Sequence, residues 1–316
     1  MPEGIGMNST PFHAGEIAMQ QAAGVRERML ELGPRVIRDQ MPEQHREFFE
    51  QLPTLLVGSA DGQQRPWVSM LAGLPGFIEA PDAWHLRVTA RPRIDDPLHA
   101  QLHVGSAIGL LCIEPQTRRR NRVNGSVVAV DATGFTVRVQ QSFGNCPKYI
   151  QARRPEWIDA SRAMPAVQRE EARLSTAAAA LVARADTLFI ASTAPGQGVD
   201  VSHRGGKPGF VRVATGTSGT VLSFPDFSGN FFFNTLGNLS AHPAAGLLFI
   251  DHESGGLLQL SGRAAIIAGG PEVDAFVGAQ RLVRVELESG VWAPRALPLR
   301  WSAPQPASQL AATGHW

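Results

Sequence analysis

Short apolar runs separated by turn residues dominate most of the chain. The segment LVRVEL (282–287) alternates apolar and charged residues, which is the pattern of a half-buried antiparallel strand. GLLCI (109–113) and GLLFI (246–250) are continuous apolar runs, typical of strands covered on both faces. Turn-forming sequences such as DGQQRP (61–66) and ESGG (253–256) separate the strands. The pattern predicts a mainly β protein.

Helical periodicity, with apolar residues every three or four positions, is found in the connecting segments. It runs through residues 15–37, through 42–52, where Pro42 suits the first helical position, and through most of 154–185. Two short helices, within 95–106 and 236–245, each precede a buried apolar strand. The expected fold class is therefore α+β: mainly β with helical connectors.

The chain also repeats itself. VSMLAGLPGF (68–77) and VSHRGGKPGF (201–210) share their ends at an offset of 133 residues. Further matches follow in the same order as the offset grows: Thr54-Leu55 with Thr187-Leu188, Gly109-Leu110-Leu111 with Gly246-Leu247-Leu248, and Val137-Arg138-Val139 with Val283-Arg284-Val285. Order and spacing together predict a tandem duplication. Each copy, with several strands and one short helix, fits a small closed or partly open barrel, which leaves few sheet edges unpaired.

This repeat sets the expected domain organisation. In chain order we expect an N-terminal helical segment (1–51), a first barrel (52–150), a helical linker (151–185), a second barrel (186–301) and a loosely held tail (302–316).

Composition and charge narrow the classes of function. The 316 residues are 43% hydrophobic and carry a net charge of +1, so no basic surface indicates nucleic acid or membrane binding. The two cysteines form no disulfide framework, no signal peptide is visible, and no apolar run could span a bilayer. We therefore expect a cytoplasmic protein. His99 and His103 have a chelating spacing but no third ligand, so no metal site is expected.

Several strings carry a resemblance to a known family. They are VDVSHRGGKPGFV (199–211), FPDFSGN (224–230), NTLGNLSAHPAAGLLF (234–249), LQLSGRAAI (258–266), TRRRNRVNG (117–125), QSFGNCPKYIQAR (141–153), APRALPLRW (293–301) and FHAGE (12–16). Together they resemble the flavin-nucleotide-binding branch of the pyridoxamine 5'-phosphate oxidase superfamily, in a subfamily with two such units per chain. The resemblance implies two tandem FMN-binding split β-barrels that form an intrachain pseudo-dimer, with FMN held between them.

The two versions of the repeated segment differ in what they could bind. The second copy offers charge from Arg204 and Lys207, a hydroxyl donor from Ser202, and close backbone approach at Gly205 for a phosphate. The first copy reads SMLAGL at the same place and lacks these groups apart from its serine. We therefore predict that the phosphate site is built on the second copy. If the protein bound haem instead, His203, in the same segment, or His252 would be the axial ligand.

The segment GNFFFNTLGN (229–238) would complete this site. Asn234 and Thr235 suit a helix start where free N–H groups bind phosphate, and Asn230 and Asn238 flank them. The commoner family pattern has an arginine after the Gly-Asn pair, whereas this chain has three phenylalanines, 231–233. They would pack either in an ordinary core or against the flavin and the first barrel.

The first copy would contribute across the interface. Arg120, within TRRRNR (117–122), would either reach the phosphate or lie in a solvated hairpin tip. In FGNCPKY (143–149), Asn145 and Lys148 would donate to the flavin's pyrimidine edge or to a substrate. Alternatively this segment is a turn that starts a helix, with Cys146 as a small buried residue.

The leading hypothesis is an FMN-dependent oxidoreductase acting on a small-molecule substrate, with no catalytic residue assigned. A separate reductase or a nicotinamide would supply electrons, and two chains could form a homodimer. The alternative is a non-catalytic flavin or haem carrier, and a third reading is a scaffold without a cofactor.

Overall fold

The computed structural model describes residues 10–159 and 165–316. Its helices are α1 (Ala14–Ala22), α2 (Arg26–Val36), α3 (Glu43–Glu50), α4 (Pro97–Gln101), α5 (Thr176–Arg184), α6 (Asn234–Ala241) and α7 (Pro271–Asp274). Its strands are β1 (Thr54–Ala60), β2 (Pro66–Ala72), β3 (Ile78–Glu79), β4 (His85–Val88), β5 (Ala107–Glu114), β6 (Arg119–Val130), β7 (Phe135–Gly144), β8 (Pro155–Trp157), β9 (Gln168–Glu171), β10 (Thr187–Thr193), β11 (Val199–Gly205), β12 (Arg212–Thr215), β13 (Thr220–Phe227), β14 (Ala244–Asp251), β15 (Gly256–Ile267), β16 (Ala279–Ala293) and β17 (Leu299–Trp301). Pro42 is the N-cap residue of α3, so this helix begins one residue later than predicted.

Two antiparallel sheets repeat one topology. The first has the strand order β2-β1-β5-β6-β7-β4-β3, and the second has the order β11-β10-β14-β15-β16-β13-β12, with β9 added beside β16. Each sheet curls around its own core: Leu71 of β2 and Ile78 of β3, at opposite ends of the first order, belong to one apolar cluster. The protein is thus mostly β, with curled half-barrel sheets and helical connectors.

The strands between the two cores alternate their side chains between two apolar layers. In β1, Leu55 and Val57 face the first core, whereas Leu56 joins a third cluster that also contains Phe189 and Leu248 of the second sheet. This third cluster packs the two sheets against each other. Because β5 and β14 are covered on both faces in this way, the interpretation of their continuous apolar runs is confirmed.

Glycines allow the two sheets to approach closely at two corresponding positions. A Cβ atom at Gly109 would lie 2.3 Å from the carbonyl oxygen of Val199. A Cβ atom at Gly246 would lie 2.4 Å from the carbonyl oxygen of Pro66. Gly109 and Gly246 match in the repeat, as do Pro66 and Val199 at the offset of 133 residues, so the two contacts are reciprocal.

We expect Gly109→Ala to lower the free energy of unfolding by about 1–3 kcal/mol, because backbone atoms of the facing sheet would have to move. Urea unfolding measures the effect. The matched control is Gly62→Ala in the β1–β2 turn, where a new Cβ would meet nothing within 4 Å. Equal losses in the two variants would contradict the close packing at Gly109.

The N-terminal helix α1 packs against α6 of the second sheet. A Cβ atom at Gly15 would lie 2.3 Å from the Gly237 carbonyl oxygen. The helix begins with a capping box, in which the His13 side chain accepts from the Gly15 N–H and Glu16 accepts from the His13 N–H. His13 Nε2 lies 2.9 Å from Asn238 Oδ1. The segment FHAGE thus fastens the N-terminal helix to the second barrel.

The expectation of a mainly helical linker is wrong for the described part of 151–185. Residues 155–157 form β8, which pairs with β17, and residues 168–171 form β9, which pairs with β16. Among the described residues of this segment, helix occurs only in α5 (Thr176–Arg184), where an alanine-rich run has good helix propensity. Partner strands satisfy the backbone elsewhere, which periodicity within one segment does not reveal. Residues 160–164 of the expected linker lie outside the described residues.

The expectation of a loosely held tail is also wrong. Ala307 and Leu310 are buried, and the Trp316 ring packs against Phe276 at 5.1 Å between centroids. Lys207 Nζ donates to the Thr313 carbonyl oxygen at 2.9 Å. Burial of these few residues, together with backbone hydrogen bonds such as that from Ala307 N–H to the Gln151 side chain, anchors the segment.

Candidate functional site: an arginine cleft between the barrels

A cleft opens where the two sheets meet, and we call it the arginine cleft. Its empty volume is about 750 Å³, including the open mouth. The first barrel supplies side chains from β6 and from residues 146–149, and the second supplies β11, β13 and residues 229–236.

The arginine cleft gathers most of the site residues expected from the sequence. Those that line it are Ser202, His203, Arg204, Gly205, Asn230, Asn234, Thr235, Arg120 and Lys148. They come from both copies of the repeat.

Three expected residues do not line the cleft. Lys207 bonds to the C-terminal tail, donating to the Thr313 carbonyl oxygen and lying 3.1 Å from His315 Nε2. Asn238 is buried beneath the cleft, where its amide donates to Asp200 Oδ2 at 2.9 Å. Asn145 reaches the cleft only through its 3.4 Å contact with Asn230. Each of the three side chains faces a different neighbour from the one that the linear motif suggested.

The segment that contains Asn145 and Lys148 is not a helix start. After β7 ends at Gly144, residues 145–147 have no regular structure, and Tyr149 has a positive φ of 65°. Cys146 is half-buried and lines the cleft, so it is not the small buried residue of the alternative interpretation.

The basic residues at the start of β6 point alternately to the two faces of the strand. Arg120 and Arg122 face the cleft, while the guanidinium of Arg119 lies 4.4 Å from the Phe48 ring centroid on the other face. Arg118 donates to the Ile150 carbonyl oxygen. Arg122 was one of the candidate arginines of TRRRNR, but only Arg120 was selected as a site residue, although the two-residue spacing on a strand was a signal for both.

Arg122 links the two barrels through hydrogen bonds at the cleft floor. Its Nη2 atom donates to Ser202 Oγ, and its Nη1 atom donates to Asn234 Oδ1 at 3.1 Å. Its nearest carboxylate is that of Asp200, at 3.6 Å. Ser202 Oγ and Thr235 Oγ1 lie 2.7 Å apart. The first barrel thereby completes a polar floor that the second barrel begins.

The expectation that Asn234 and Thr235 cap α6 is wrong. The N-cap residue is Phe233, in the left-handed region with φ 63°, and no side chain caps the helix. Asn234 instead accepts from Arg122 and donates to Glu16 of α1. Both side chains are buried and point into the polar floor, because the preceding phenylalanine changes the direction of the chain.

The cations of the cleft are buried close together. Burial, followed by the charges of Arg122 and Arg204, lowers the pKa of Arg120 to about 9. Burial also lowers the pKa of Arg122 to about 10. Nε atoms of Arg120, Arg122 and Arg204 are buried without a hydrogen-bond partner among the described residues. An anion in the cleft would reduce the repulsion among the three arginines and would accept hydrogen bonds from their unpartnered Nε atoms.

Arg204, like Arg122, lies near one carboxylate. Its Nη2 atom lies 3.6 Å from Asp226, which also pairs with Arg281 at 3.5 Å. Burial raises the pKa of the Asp226 carboxyl, and the two arginines oppose that shift. Among the described residues, no carboxylate forms an ion pair with Arg120. Arg120 is therefore the cation with the most to gain from an external anion.

A buried carboxyl lies beneath the floor. Glu16 is 3% exposed. Burial and then the charge of Asp200 raise its pKa to about 8, against opposing hydrogen bonds from His13 and Asn234 and the charge of Arg122. The N-terminal helix thus places an ionisable group directly under the site, a feature that the sequence did not indicate.

The three phenylalanines of 231–233 divide between core and cleft. Phe232 is buried against Phe12 and Phe143, as the core interpretation expects. Phe231 and Phe233 line the cleft, each with a positive φ, 64° and 63°. Bulky residues rarely adopt this conformation, and such strain is concentrated at functional sites.

His203 has a neutral imidazole in the cleft wall. Burial, followed by the charges of Arg120, Arg204 and Arg153, holds its pKa well below the ordinary value. Its ring packs edge-on against Phe189 at 5.6 Å between centroids.

A second cleft lies at the place that the repeat makes equivalent to the arginine cleft, with the roles of the two copies exchanged. Its corresponding residues are Met70 for His203, Leu71 for Arg204, Leu257 for Arg120 and Gln259 for Arg122. Gln259 donates to Ser69 Oγ at 3.0 Å, as Arg122 donates to Ser202. Arg91 and Arg93 also line this cleft; Arg91 donates to the Asp131 backbone carbonyl oxygen, and Arg93 pairs with the Asp95 carboxylate through Nη2 while its Nη1 has no partner among the described residues. The strand-borne arginine cluster has no counterpart there.

Two other features concern metals and membranes. His99 and His103 are exposed, and no group of three potential metal-ligating residues occurs in the described ranges. No helix in residues 10–159 or 165–316 has the length and apolar character needed to cross a bilayer.

Comparison with known proteins gives only distant likenesses. No family model and no curated protein matches the sequence. HupZ from Group A Streptococcus aligns with 36% of this chain and 90% of its own, at 12% identity and a TM-score of 0.29. HutZ, the heme storage protein from Vibrio cholerae, aligns with 39% of this chain and 95% of its own, at 14% identity and a TM-score of 0.27. MrkH from K. pneumonia, in complex with c-di-GMP, aligns with 80% of this chain and 87% of its own, at 10% identity and a TM-score of 0.24. Likenesses this weak carry no argument, so function must be argued from the residues themselves.

Proposed function

We propose that the chain is a flavoprotein that binds one FMN in the arginine cleft and uses it as an oxidoreductase on a small-molecule substrate. The observation that carries this proposal is the convergence of Arg120, Arg122 and Arg204 on one cleft with unpartnered Nε atoms. Buried guanidinium groups favour a phosphate because each can donate two charge-assisted hydrogen bonds.

The residues present fit the phosphate end of such a ligand. Arg120 and Arg122 would supply most of the charge, and one of the two paired hydroxyls, Ser202 or Thr235, would donate from the floor. These two arginines would replace the family arginine that is absent after Asn230. The second cleft offers no comparable set, which supports a stoichiometry of one ligand per chain.

We further propose that the chain is an intrachain pseudo-dimer of two split barrels. The reciprocal glycine contacts support this proposal, because an interface with two-fold symmetry repeats each contact with the partners exchanged. The pairs Arg122–Ser202 and Gln259–Ser69 repeat in the same way. The charged and uncharged versions of the repeated segment then belong to the two ends of one symmetric interface, and only one end kept its cations.

When bound, the flavin would supply the hydride or electron exchange. The residues of the chain would orient it and exclude water. Phe231 and Phe233 offer apolar surface at the cleft wall, and Tyr149 stacks on Phe227 at 5.1 Å between centroids. Lys148 lines the same wall and would place a positive charge near a reduced, anionic ring.

Calorimetric titration with FMN and riboflavin tests the proposal. We expect one FMN per chain, and we expect Arg120→Gln to weaken FMN binding roughly 10- to 100-fold while leaving riboflavin binding nearly unchanged. The matched control is Arg119→Gln, one residue earlier on β6 and on its opposite face. Two FMN molecules per chain, or equal effects of the two variants, would contradict the proposal.

A non-catalytic carrier is the alternative, and the neutral imidazole of His203 in the cleft wall favours haem as its ligand. The visible spectrum of the purified protein separates flavin, with two broad bands, from haem, with one sharp band. Anaerobic NAD(P)H, alone or with a separate reductase, should then bleach the flavin of an enzyme but not that of a carrier. The homodimer stays a prediction, to be checked by light scattering.

A further inference from the structure

The two cysteines of this protein lie in opposite environments. Cys112 is fully buried in the core of the first barrel, and burial raises the pKa of its thiol. Cys146 is half-buried and lines the arginine cleft. A small reagent that enters the cleft therefore meets one thiol, whereas the other lies behind packed side chains.

Cys146 lines the cleft together with the cationic side chains of Arg120 and Lys148. The N–H of the preceding residue, Asn145, donates to the Arg120 carbonyl oxygen at 3.1 Å, which holds the cysteine beside β6. The Cys146 thiol and the Arg120 guanidinium interact electrostatically, and Lys148 lines the same wall. The other ionisable groups that line the cleft are Tyr149, Asp226, Arg122, His203 and Arg204.

A second observation indicates that the same cleft takes an anion. Arg122 is only 6% exposed, and its Nε atom has no hydrogen-bond partner among the described residues. Such an atom is costly unless a ligand or water satisfies it. A disulfide with carboxylate groups would satisfy the cations and bring its sulfur atoms to the thiol.

We propose that Cys146 is a thiol–disulfide exchange site that takes anionic disulfides of low molecular mass into the arginine cleft. The Cys146 proton leaves to solvent, and the thiolate attacks one sulfur of the disulfide. A new S–S bond forms between Cys146 and that sulfur as the old S–S bond breaks. The second sulfur leaves as a thiolate, so Cys146 is oxidised and the released half is reduced. A free thiol reverses the step.

The adduct would occupy the space proposed for FMN. This consequence, unlike the exchange reaction itself, rests on the proposed function. Oxidation of small thiols around the protein would then block the cleft, and their reduction would reopen it.

Labelling with two disulfides of different charge tests the exchange site. The probes are 5,5'-dithiobis(2-nitrobenzoate), which is anionic, and 4,4'-dithiodipyridine, which is neutral; released thiolate or thione is followed by absorbance on the folded full chain. We expect one fast thiol per chain, kept in Cys112→Ser and lost in Cys146→Ser. We also expect Arg120→Gln to slow the anionic probe about tenfold and the neutral probe much less, because one charge at close range has been removed.

Either of two results would overturn the proposal. One is fast release that survives in Cys146→Ser. The other is an Arg120→Gln variant that slows both probes equally, since this would show a change in access and not in charge.

Protection by FMN separates this inference from the proposed function. If FMN slows the labelling of Cys146, both hold. If Cys146 reacts as described and saturating FMN gives no protection, the exchange site stands and FMN binding in this cleft is refuted.

Discussion

We expect Arg122→Met to weaken FMN binding roughly 10- to 150-fold and to lower the free energy of unfolding by about 3–5 kcal/mol. The first effect follows because a charge-assisted donor is lost from the cleft floor. The second follows because the Asp200 carboxylate, 3.6 Å from the Arg122 guanidinium, would be left buried without its cation. Calorimetric titration and urea unfolding measure the two effects separately.

A double variant separates the two roles of Arg122. Adding Asp200→Asn to Arg122→Met removes the uncompensated charge, so stability should recover largely while FMN binding stays weak. Arg119→Met, on the opposite face of β6, is the control and should change neither quantity by much. Recovery of FMN binding in the double variant would show that Arg122 acts only on the fold.

The second large effect is a dependence of stability on pH that originates at Glu16. Its pKa is raised from 4.5 to about 8 in the folded protein. Between these values the folded protein keeps a proton that the unfolded chain has released. The Glu16 contribution to stability should therefore fall as pH rises through this window, at about 1.4 kcal/mol per pH unit, and level off above the folded pKa. Buried histidines with lowered pKa values, such as His203, contribute the opposite slope below their ordinary value of 6.5, so the fall is measured between pH 6.5 and about 8. The groups facing Glu16 are His13 on α1, Asp200 on β11, Arg122 on β6 and Asn234 on α6.

Urea unfolding at several pH values measures this slope. Glu16→Gln should flatten it, although the variant will have a lower baseline because an amide cannot accept from both His13 and Asn234. Glu27→Gln, at an exposed position of α2, should leave the slope unchanged. A slope that persists in Glu16→Gln would assign the dependence to another group.

Much of the fold could be predicted from local patterns. The alternating segment LVRVEL lies in β16, and the continuous apolar runs GLLCI and GLLFI lie in β5 and β14. They could be predicted because a strand buried on one face alternates apolar and polar residues, whereas a strand buried on both faces is apolar throughout. The sequence repeat corresponds to two sheets whose strands follow the same topological order. The linker and the tail were misjudged, since β8, β9 and the buried Leu310 depend on partners distant in sequence.

The candidate site was predictable only in part. The residues of β11 could be found because the charged segment stands out against its uncharged copy. Arg122 was a candidate in the basic run but was not selected, because its partner Ser202 lies in the other barrel. Lys207 was wrongly placed because the tail provides its partners.

The sequence by itself determined most strands of the two sheets, the repeat and which copy carries the cations, since all three follow from residue types and their spacing. The tertiary structure alone decided which cations meet and which are neutralised. Arg120 and Arg122 come from one barrel and Arg204 from the other, and Glu16 comes from a helix outside both. Electrostatic interactions depend on distances across the fold, and distances between segments far apart in the chain are set only when the two sheets pack.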